Sequence, residues 1–133
     1  MTEYILDTNI CIYIIKKKPE RVFNRFKELT PGNVGISSIT LAEMQYGIDK
    51  SSKPAQNQEA LDQFLLPLEI LDFNANAAIE YGRIRSALEK KGTPIGSFDM
   101  LIAAHAKSVG AVLVTNNIKE FDRVSGLLTE NWV

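Results

Sequence analysis

Apolar and polar positions follow two alternating patterns along the chain. Short runs rich in apolar residues at 3–6, 34–36, 69–73 and 112–114 have the length and composition of strands. Between them, apolar residues recur three or four positions apart, which predicts amphipathic helices. The run at 112–114 is apolar throughout, as is typical of a strand buried on both faces of a parallel sheet. Strands that alternate with helices predict an α/β domain with a central, mainly parallel sheet.

Small polar residues mark the expected starts of two helices. Thr8 or Asn9 is predicted to cap the helix after the first strand, and Ser37-Ser38 the helix after the second. This later helix is expected to be largely buried, because it carries two apolar stripes. The stripes are Leu41, Met44, Ile48 and Ile39, Ala42, Tyr46.

Composition narrows the class of protein. A length of 133 residues with 45% hydrophobic content fits one domain spanning 1–133. Cys11 is the only cysteine, so no intrachain disulfide can form, and no apolar run approaches the roughly 20 residues of a membrane helix. We therefore expect a cytoplasmic protein with no membrane segment. Because the net charge is −1, any contact with nucleic acid would depend on local basic patches.

Three acids stand in apolar surroundings. Asp7 directly follows a strand, Asp99 precedes an apolar helix, and Glu43 lies on a helix with Ile39 and Gly47 one turn away. Ligands of such sheets bind at the carboxyl ends of the strands, which places Asp7 on the rim where sites form. Withdrawing a carboxylate from water costs several kcal/mol unless it is paired or coordinated. Few basic residues are close in sequence, so the acids together predict a divalent cation, magnesium or manganese rather than zinc.

Each acid also has a structural interpretation when taken alone. Asp99 could simply interact with a helix dipole, Asp7 could cap a helix, and Glu43 could be an ordinary helical glutamate. His105 is interpreted as a hydrogen-bonded core histidine and Cys11 as a buried small hydrophobe. Five basic residues either form a solvated helix face or meet phosphates: Lys16, Lys17, Lys18, Arg21 and Arg25.

Four ordered blocks carry a family resemblance: "ILDTNICIYII", "SSITLAEMQYG", "GTPIGSFDMLIAAHA" and "VLVTNNIKEFDRVSGL". Across nearly its whole length the chain resembles the PIN-domain ribonucleases, and within them the VapC-type toxins of toxin–antitoxin modules. The resemblance implies a PIN-like three-layer α/β/α domain. It also places the family's first aspartate, helical glutamate and second aspartate on Asp7, Glu43 and Asp99.

The resemblance further implies which residues form the site. Asp7, Asp99 and Glu43 would hold the metal. Where many relatives carry a fourth acid this chain has Asn117, so either the Asn117 amide or Glu120, one helical turn later, completes the site. Three polar residues are expected to support the ligands: Thr8, Asn9 and Thr115.

The implied activity is an endoribonuclease that uses Mg²⁺, for which Mn²⁺ can substitute, to activate water against a phosphodiester. Its products would carry a 5′-phosphate and a 3′-hydroxyl. Single-stranded or looped RNA fits such a rim best, and the enteric subgroup points to initiator tRNA cut in its anticodon stem-loop. The family also implies a homodimer that is silenced by a VapB-type antitoxin. Of six apolar residues in the N-terminal half, most are expected to be buried and some to face such a partner: Ile14, Phe23, Phe26, Tyr46, Phe64 and Leu65.

Two other functions compete with this interpretation. A phosphatase with Asp7 as nucleophile would need a second aspartate at the position of Asn9. A catalytically silent, dimeric PIN-like binding module would be compatible with Asn117, whereas the presence of all three acids argues against it.

Overall fold

In the computed structural model, which describes residues 2–133, one sheet is flanked by helices. The strands are β1 (Tyr4–Leu6), β2 (Val34–Ser37), β3 (Glu69–Leu71), β4 (Val112–Val114) and β5 (Thr129–Glu130). The helices are α1 (Thr8–Lys16), α2 (Glu20–Glu28), α3 (Ser38–Asp49), α4 (Pro54–Leu65), α5 (Ala75–Lys91), α6 (Ser97–Val109) and α7 (Ile118–Phe121). None of the helices within this range is long and apolar enough to cross a membrane.

The sheet has the strand order β3-β2-β1-β4-β5, and every neighbouring pair is parallel. The predicted α/β architecture is therefore confirmed. Strand β5 was not predicted, because two residues are too few to show an alternating pattern. The third strand is also shorter than predicted, since it ends at Leu71 rather than at Phe73.

Alternating side chains of the central strands supply two separate cores. Ile5 and Leu113 belong to one apolar cluster, with residues of α5, α6 and α7. Leu6 and Val114, one position later on the same strands, belong to the other cluster, with residues of α1, α2, α3 and α4. Because successive side chains of a strand point to opposite faces, these clusters lie on opposite sides of the sheet. This is the expected three-layer α/β/α arrangement.

Helix α3 is less buried than its sequence predicts. Met44 and Ile48 are buried, but Ala42 is exposed and Tyr46 is 66% exposed. The prediction of a largely buried helix is therefore wrong, because only one side of α3 packs against the rest of the domain. The six apolar residues from which a partner surface is expected differ in exposure. Tyr46 alone is exposed; Ile14 and Phe64 are buried, and Phe23, Phe26 and Leu65 are partly buried.

The order of the strands creates a crevice at the carboxyl edge of the sheet. From β1 the chain adds β2 and β3 on one side, and then β4 and β5 on the other. At such a switch point the two flanking connections leave in opposite directions, which opens the space where ligands bind in open α/β sheets. Asp7 follows β1 and Thr115 follows β4, so both residues lie at this point.

Candidate active site

Asp7 and Thr115 are hydrogen-bonded to each other across the crevice between β1 and β4. The backbone N–H of Asp7 donates to the carbonyl of Val114 at 2.9 Å, so Asp7 continues the pairing of the two strands. The buried Thr115 hydroxyl donates to Asp7 Oδ2 at 2.8 Å. The topology thus joins two residues that are 108 positions apart in the sequence.

Both oxygens of the Asp7 carboxylate accept a hydrogen bond. Oδ1 accepts the backbone N–H of Thr8 at 2.8 Å, because Asp7 is the N-cap residue of α1. The prediction that Thr8 or Asn9 caps this helix is therefore wrong. Thr115 is itself held in place, since its Oγ1 accepts the backbone N–H of Asn117 at 3.0 Å. These contacts fix the orientation of a carboxylate that is only 6% exposed.

Glu43 is connected to Asp7 through a single residue. The Thr8 hydroxyl donates to Glu43 Oε1 at 3.0 Å, while the Thr8 backbone N–H donates to Asp7. Because Asp7 occupies the cap position, the Thr8 side chain is free to make this second contact. One threonine thus sets the separation of two acids that come from α3 and from the end of β1.

Asp99 lies in the first turn of α6, three residues after the N-cap residue Gly96. A β-carbon added at Gly96 would lie 3.2 Å from Asp99 Oδ2, so the glycine leaves room for the carboxylate beside the helix start. Sequence reasoning missed this role of Gly96, and its signal was a glycine three residues before the acid. Within residues 2–133 no hydrogen bond holds the Asp99 carboxylate.

Burial raises the pKa of Asp7 and of Glu43. For Asp7 the hydrogen bonds from Thr115 and Thr8 act in the opposite direction, because they stabilise the charged form. For Glu43 the Thr8 hydrogen bond also lowers the pKa, and the charge of Asp7 raises it again. For both side chains, hydrogen bonds therefore offset part of the pKa increase that burial causes.

Asp99 is the most strongly perturbed of the acids whose pKa changes. Its pKa is raised to about 6, first by burial and then by the charges of Asp7, Glu120 and Glu43. No hydrogen bond lowers it. Asp99 is thus the member of this group of four carboxylates on which the charges of the other three act.

No basic side chain balances this group in the described part of the chain. None of the salt bridges there includes Asp7, Glu43, Asp99 or Glu120. Nor do any three His, Cys, Asp or Glu side chains among residues 2–133 lie close enough together to hold a metal ion between them. The chemistry of the donors nevertheless fits a hard divalent cation, because they are carboxylate oxygens and a cation would offset their repulsion.

The two candidates for completing the site differ in their surroundings. Glu120 lies on α7, so this segment does coil as a helix, and its charge raises the pKa of Asp99. The Asn117 side chain makes no hydrogen bond in the described range, whereas its backbone N–H supports Thr115. Asn9 is exposed on α1, and no hydrogen bond there ties its side chain to the acids. The charge of Glu120 therefore acts within the acidic group, and no hydrogen bond in the described range ties either asparagine side chain to it.

The remaining singled-out residues lie in the interior. His105 is 1% exposed, and its Nδ1 lies 2.7 Å from the Ser37 hydroxyl oxygen, as expected of a hydrogen-bonded core histidine. Burial lowers its pKa, although the charge of Asp72 acts in the opposite direction. Cys11 is fully buried, and burial raises the pKa of its thiol well above its ordinary value. Neither side chain is placed to ligate zinc with the acids.

A recess of about 370 Å³ lies between α1, α3 and α4, and sequence reasoning did not foresee it. Thr8 and Glu43 are among the residues that line it, so it borders the acidic group. Its wall is mainly apolar and includes Ile12, Ile15, Met44, Ile48 and Leu61.

Known proteins are similar to this chain in sequence and in fold. A family profile described as PIN domain matches residues 4–127. Ribonuclease VapC2 of Rickettsia felis is 54% identical over 130 residues, which cover 97% of each chain. The tRNA(fMet)-specific endonuclease VapC of Shigella flexneri is 48% identical over 132 residues, which cover 99% of each chain.

A solved structure agrees with this assignment. The chain matches a chain of DNA bound VapBC from Salmonella typhimurium with a TM-score of 0.94, at 47% identity and with 100% of both chains covered. A family match over most of the length and relatives near half identity lead to one conclusion. The chain belongs to the PIN-domain family, among its VapC ribonucleases.

Proposed function

We propose that the chain is the toxin of a toxin–antitoxin pair, and that it hydrolyses RNA as a Mg²⁺-dependent endoribonuclease in which Mn²⁺ can replace Mg²⁺. One observation carries the metal dependence. Asp7, Glu43, Asp99 and Glu120 repel one another at the switch point, and no Lys or Arg of the described residues pairs with them. A divalent cation is the simplest group that satisfies such a site.

Each acid has its own part in this proposal. Asp7 and Asp99 hold the ion, with Glu120 adding charge beside Asp99. Thr8 and Thr115 keep the Asp7 oxygens in one orientation. When bound, the ion would polarise the scissile phosphate and lower the pKa of a nearby water molecule.

Glu43 orients the attacking water. Its Oε1 accepts the Thr8 hydroxyl, and Oε2 accepts no hydrogen bond within residues 2–133, so Oε2 is available to the water. Water attacks the phosphorus and the bond to the 3′-oxygen breaks. The proton lost by water accounts for the one gained by the 3′-oxygen, so the products are a 5′-phosphate and a 3′-hydroxyl.

The proposed substrate is a single-stranded or looped RNA, with initiator tRNA as the leading candidate. The Shigella flexneri relative is named as a tRNA(fMet)-specific endonuclease and matches the chain end to end. Of the basic residues near the N-terminus, Arg25 is engaged with Glu28 and Glu130 and lies over the ring of Trp132. Lys16 lines the recess beside the acids and is the better candidate for a phosphate contact.

The proposed partners are a second copy of the chain and a VapB-type antitoxin, both in the cytoplasm. The Salmonella typhimurium structure that matches the chain is a VapBC complex. The recess between α1, α3 and α4 is apolar, borders Glu43, and lies beside exposed Ile12. An antitoxin segment that folds on binding would cover this surface and could present an arginine to the acids.

RNA cleavage should depend on Asp7 and on a divalent ion. Asp7→Asn removes a charge but keeps the shape of the side chain, so we expect cleavage to fall roughly 100-fold or more. RNA 5′ ends that appear after brief expression, sequenced beside those of the variant, would identify the target. Asp122→Asn removes an exposed acid outside the group and serves as the control. Unchanged cleavage by Asp7→Asn, or in excess EDTA, would refute the proposal.

The raised pKa of Asp99 predicts a stability gain on its neutralisation. The folded chain binds more protons than the unfolded chain between about pH 4 and about pH 6, so stability falls as the pH rises through this window. Without metal, Asp99→Asn should therefore unfold at higher denaturant concentration than the wild type near neutral pH. The advantage should vanish at about pH 4, where the wild-type acid is protonated as well. Mg²⁺ should stabilise the wild type more than the variant. An equal effect of the substitution at both pH values would contradict this cause.

Glu120 rather than Asn117 should complete the metal site. Glu120→Gln removes a charge that acts on Asp99, whereas Asn117→Ala keeps the backbone N–H that supports Thr115. We expect Glu120→Gln to raise the Mg²⁺ concentration that half-stabilises the protein against heat, and Asn117→Ala to change it less. The reverse order would assign the role to Asn117.

Filling the recess should relieve inhibition by the antitoxin. A β-carbon at Gly47 meets no atom within 4 Å, so Gly47→Leu can extend into the recess that Gly47 lines. Gly82→Leu adds the same side chain in open space on α5 and serves as the control. Gly47→Leu should weaken inhibition by the copurified partner more than it changes cleavage by the free chain. Equal inhibition of both variants would indicate that the antitoxin binds elsewhere.

The proposed homodimer has its own test. A monomeric mass of the free chain by light scattering would refute it.

A further inference from the structure

A buried hydrogen bond joins the two helices that carry Glu43 and Asp99. His105 Nδ1 and Ser37 Oγ are 2.7 Å apart, the two residues are 1% and 0% exposed, and they are 68 positions apart in sequence. We propose that His105 is a positioning residue, which sets the place of Asp99 relative to Glu43 and Asp7 through this bond. The inference rests on the proposed metal-dependent function.

The bond is well placed to control the separation of the acids. Asp99 precedes His105 by six residues on α6, and Glu43 follows Ser37 by six residues on α3. At about 1.5 Å per residue, each acid lies roughly 9 Å along its helix from the bond. In the pairing of β1 with β2, Ile5 lies opposite Gly35. Continued for two more residues, this register places Ser37 opposite Asp7. The contact therefore lies at the same edge of the sheet as the acidic group.

Ser37 has enough hydrogen-bonding capacity to cap α3 and to bond His105 at the same time. Ser37 Oγ already accepts the backbone N–H of Ile39 at 3.1 Å, because Ser37 is the N-cap residue of α3. Its hydroxyl still has a proton to donate and a second lone pair, so it bonds Nδ1 of His105 in either tautomer of the neutral imidazole. One side chain thereby caps α3 and links that cap to α6.

The imidazole is also fixed by its neighbours. The ring of Phe73 meets it edge-on, with centroids 5.5 Å apart at an interplanar angle of 79°. Phe73 is held in turn, because its backbone N–H donates to the Ser38 hydroxyl oxygen at 3.1 Å. His105 therefore lies at a junction of α6, the start of α3 and the segment after β3.

Asp99 depends on this junction more than the other acids do. Asp7 accepts two hydrogen bonds and Glu43 accepts one, but none holds Asp99 within residues 2–133. Its carboxylate is therefore placed only by where α6 lies and by the space left at Gly96. Loss of the junction should consequently weaken metal binding beyond its effect on overall stability.

Three substitutions at His105 separate the bond from packing. His105→Asn keeps a polar atom near the position of Nδ1, His105→Gln keeps one near the position of Nε2, and His105→Leu keeps neither. We expect the Gln and Leu variants to need about tenfold more Mg²⁺ for half-maximal thermal stabilisation, the lower end of the effect of residues that orient metal ligands. The Asn variant should stay near the wild-type value, although it unfolds more easily.

Two further variants provide the controls. Leu88→Ala removes buried side-chain volume from α5 in the core cluster that contains much of α6, and should lower stability without changing the Mg²⁺ requirement. Ser37→Ala should raise the requirement as His105→Leu does, and should add little in the double variant. A Mg²⁺ requirement that only follows stability across all variants, Leu88→Ala included, would overturn the inference. A wild type that Mg²⁺ does not stabilise would instead refute the proposed function on which it rests.

Discussion

Repulsion among carboxylates at one edge of the sheet is the constraint to which the rest of the structure is fitted. The acids come from four places: the end of β1, α3, the first turn of α6, and α7. They converge because the strands are all parallel, so that their carboxyl ends and the helix starts share one rim. Burial and, after it, this convergence of charges raise the pKa of Asp99 to about 6. Two apolar cores, one on each face of the sheet, supply the stability that offsets it.

The acids are held with unequal rigidity, and the difference follows from where each is attached. Asp7 belongs to the paired edge of the sheet, where a cap interaction and the Thr115 hydroxyl fix both of its oxygens. Glu43 is attached to Asp7 through Thr8. Asp99 has only the first turn of α6 to place it, so its position depends on how that helix packs. Hydrogen bonds thus fix Asp7 and Glu43 on one side of the site, whereas on the other side only the packing of α6 places Asp99.

Sequence reasoning predicted the parts of this arrangement that have a local signal. A carboxylate directly after an apolar strand marks Asp7, and an acid at the start of an apolar helix marks Asp99. It could not decide between Asp7, Thr8 and Asn9 as the cap of α1, since all three residue types favour that position. It also overestimated the burial of Tyr46, because helical spacing shows which residues share a face but not whether anything packs against that face. The contact of His105 with Ser37 spans 68 residues and has no signal in either local sequence.

The departure at Asn117 bears on whether the site is catalytic or a remnant. A fold that no longer bound a cation would gain stability by losing charge, and amides at Asp7 or Asp99 would serve its packing equally well. The described structure keeps an acid at Asp7 although burial raises its pKa overall, and the hydrogen bonds from Thr115 and Thr8 offset part of that increase. Asn117 stands where the family resemblance implies a fourth acid, and Glu120, three residues later on α7, has a charge that raises the pKa of Asp99. Acids from the end of β1, from α3 and from α7 thus contribute charge around Asp99 on α6, which is expected of a site that takes a cation rather than of a remnant.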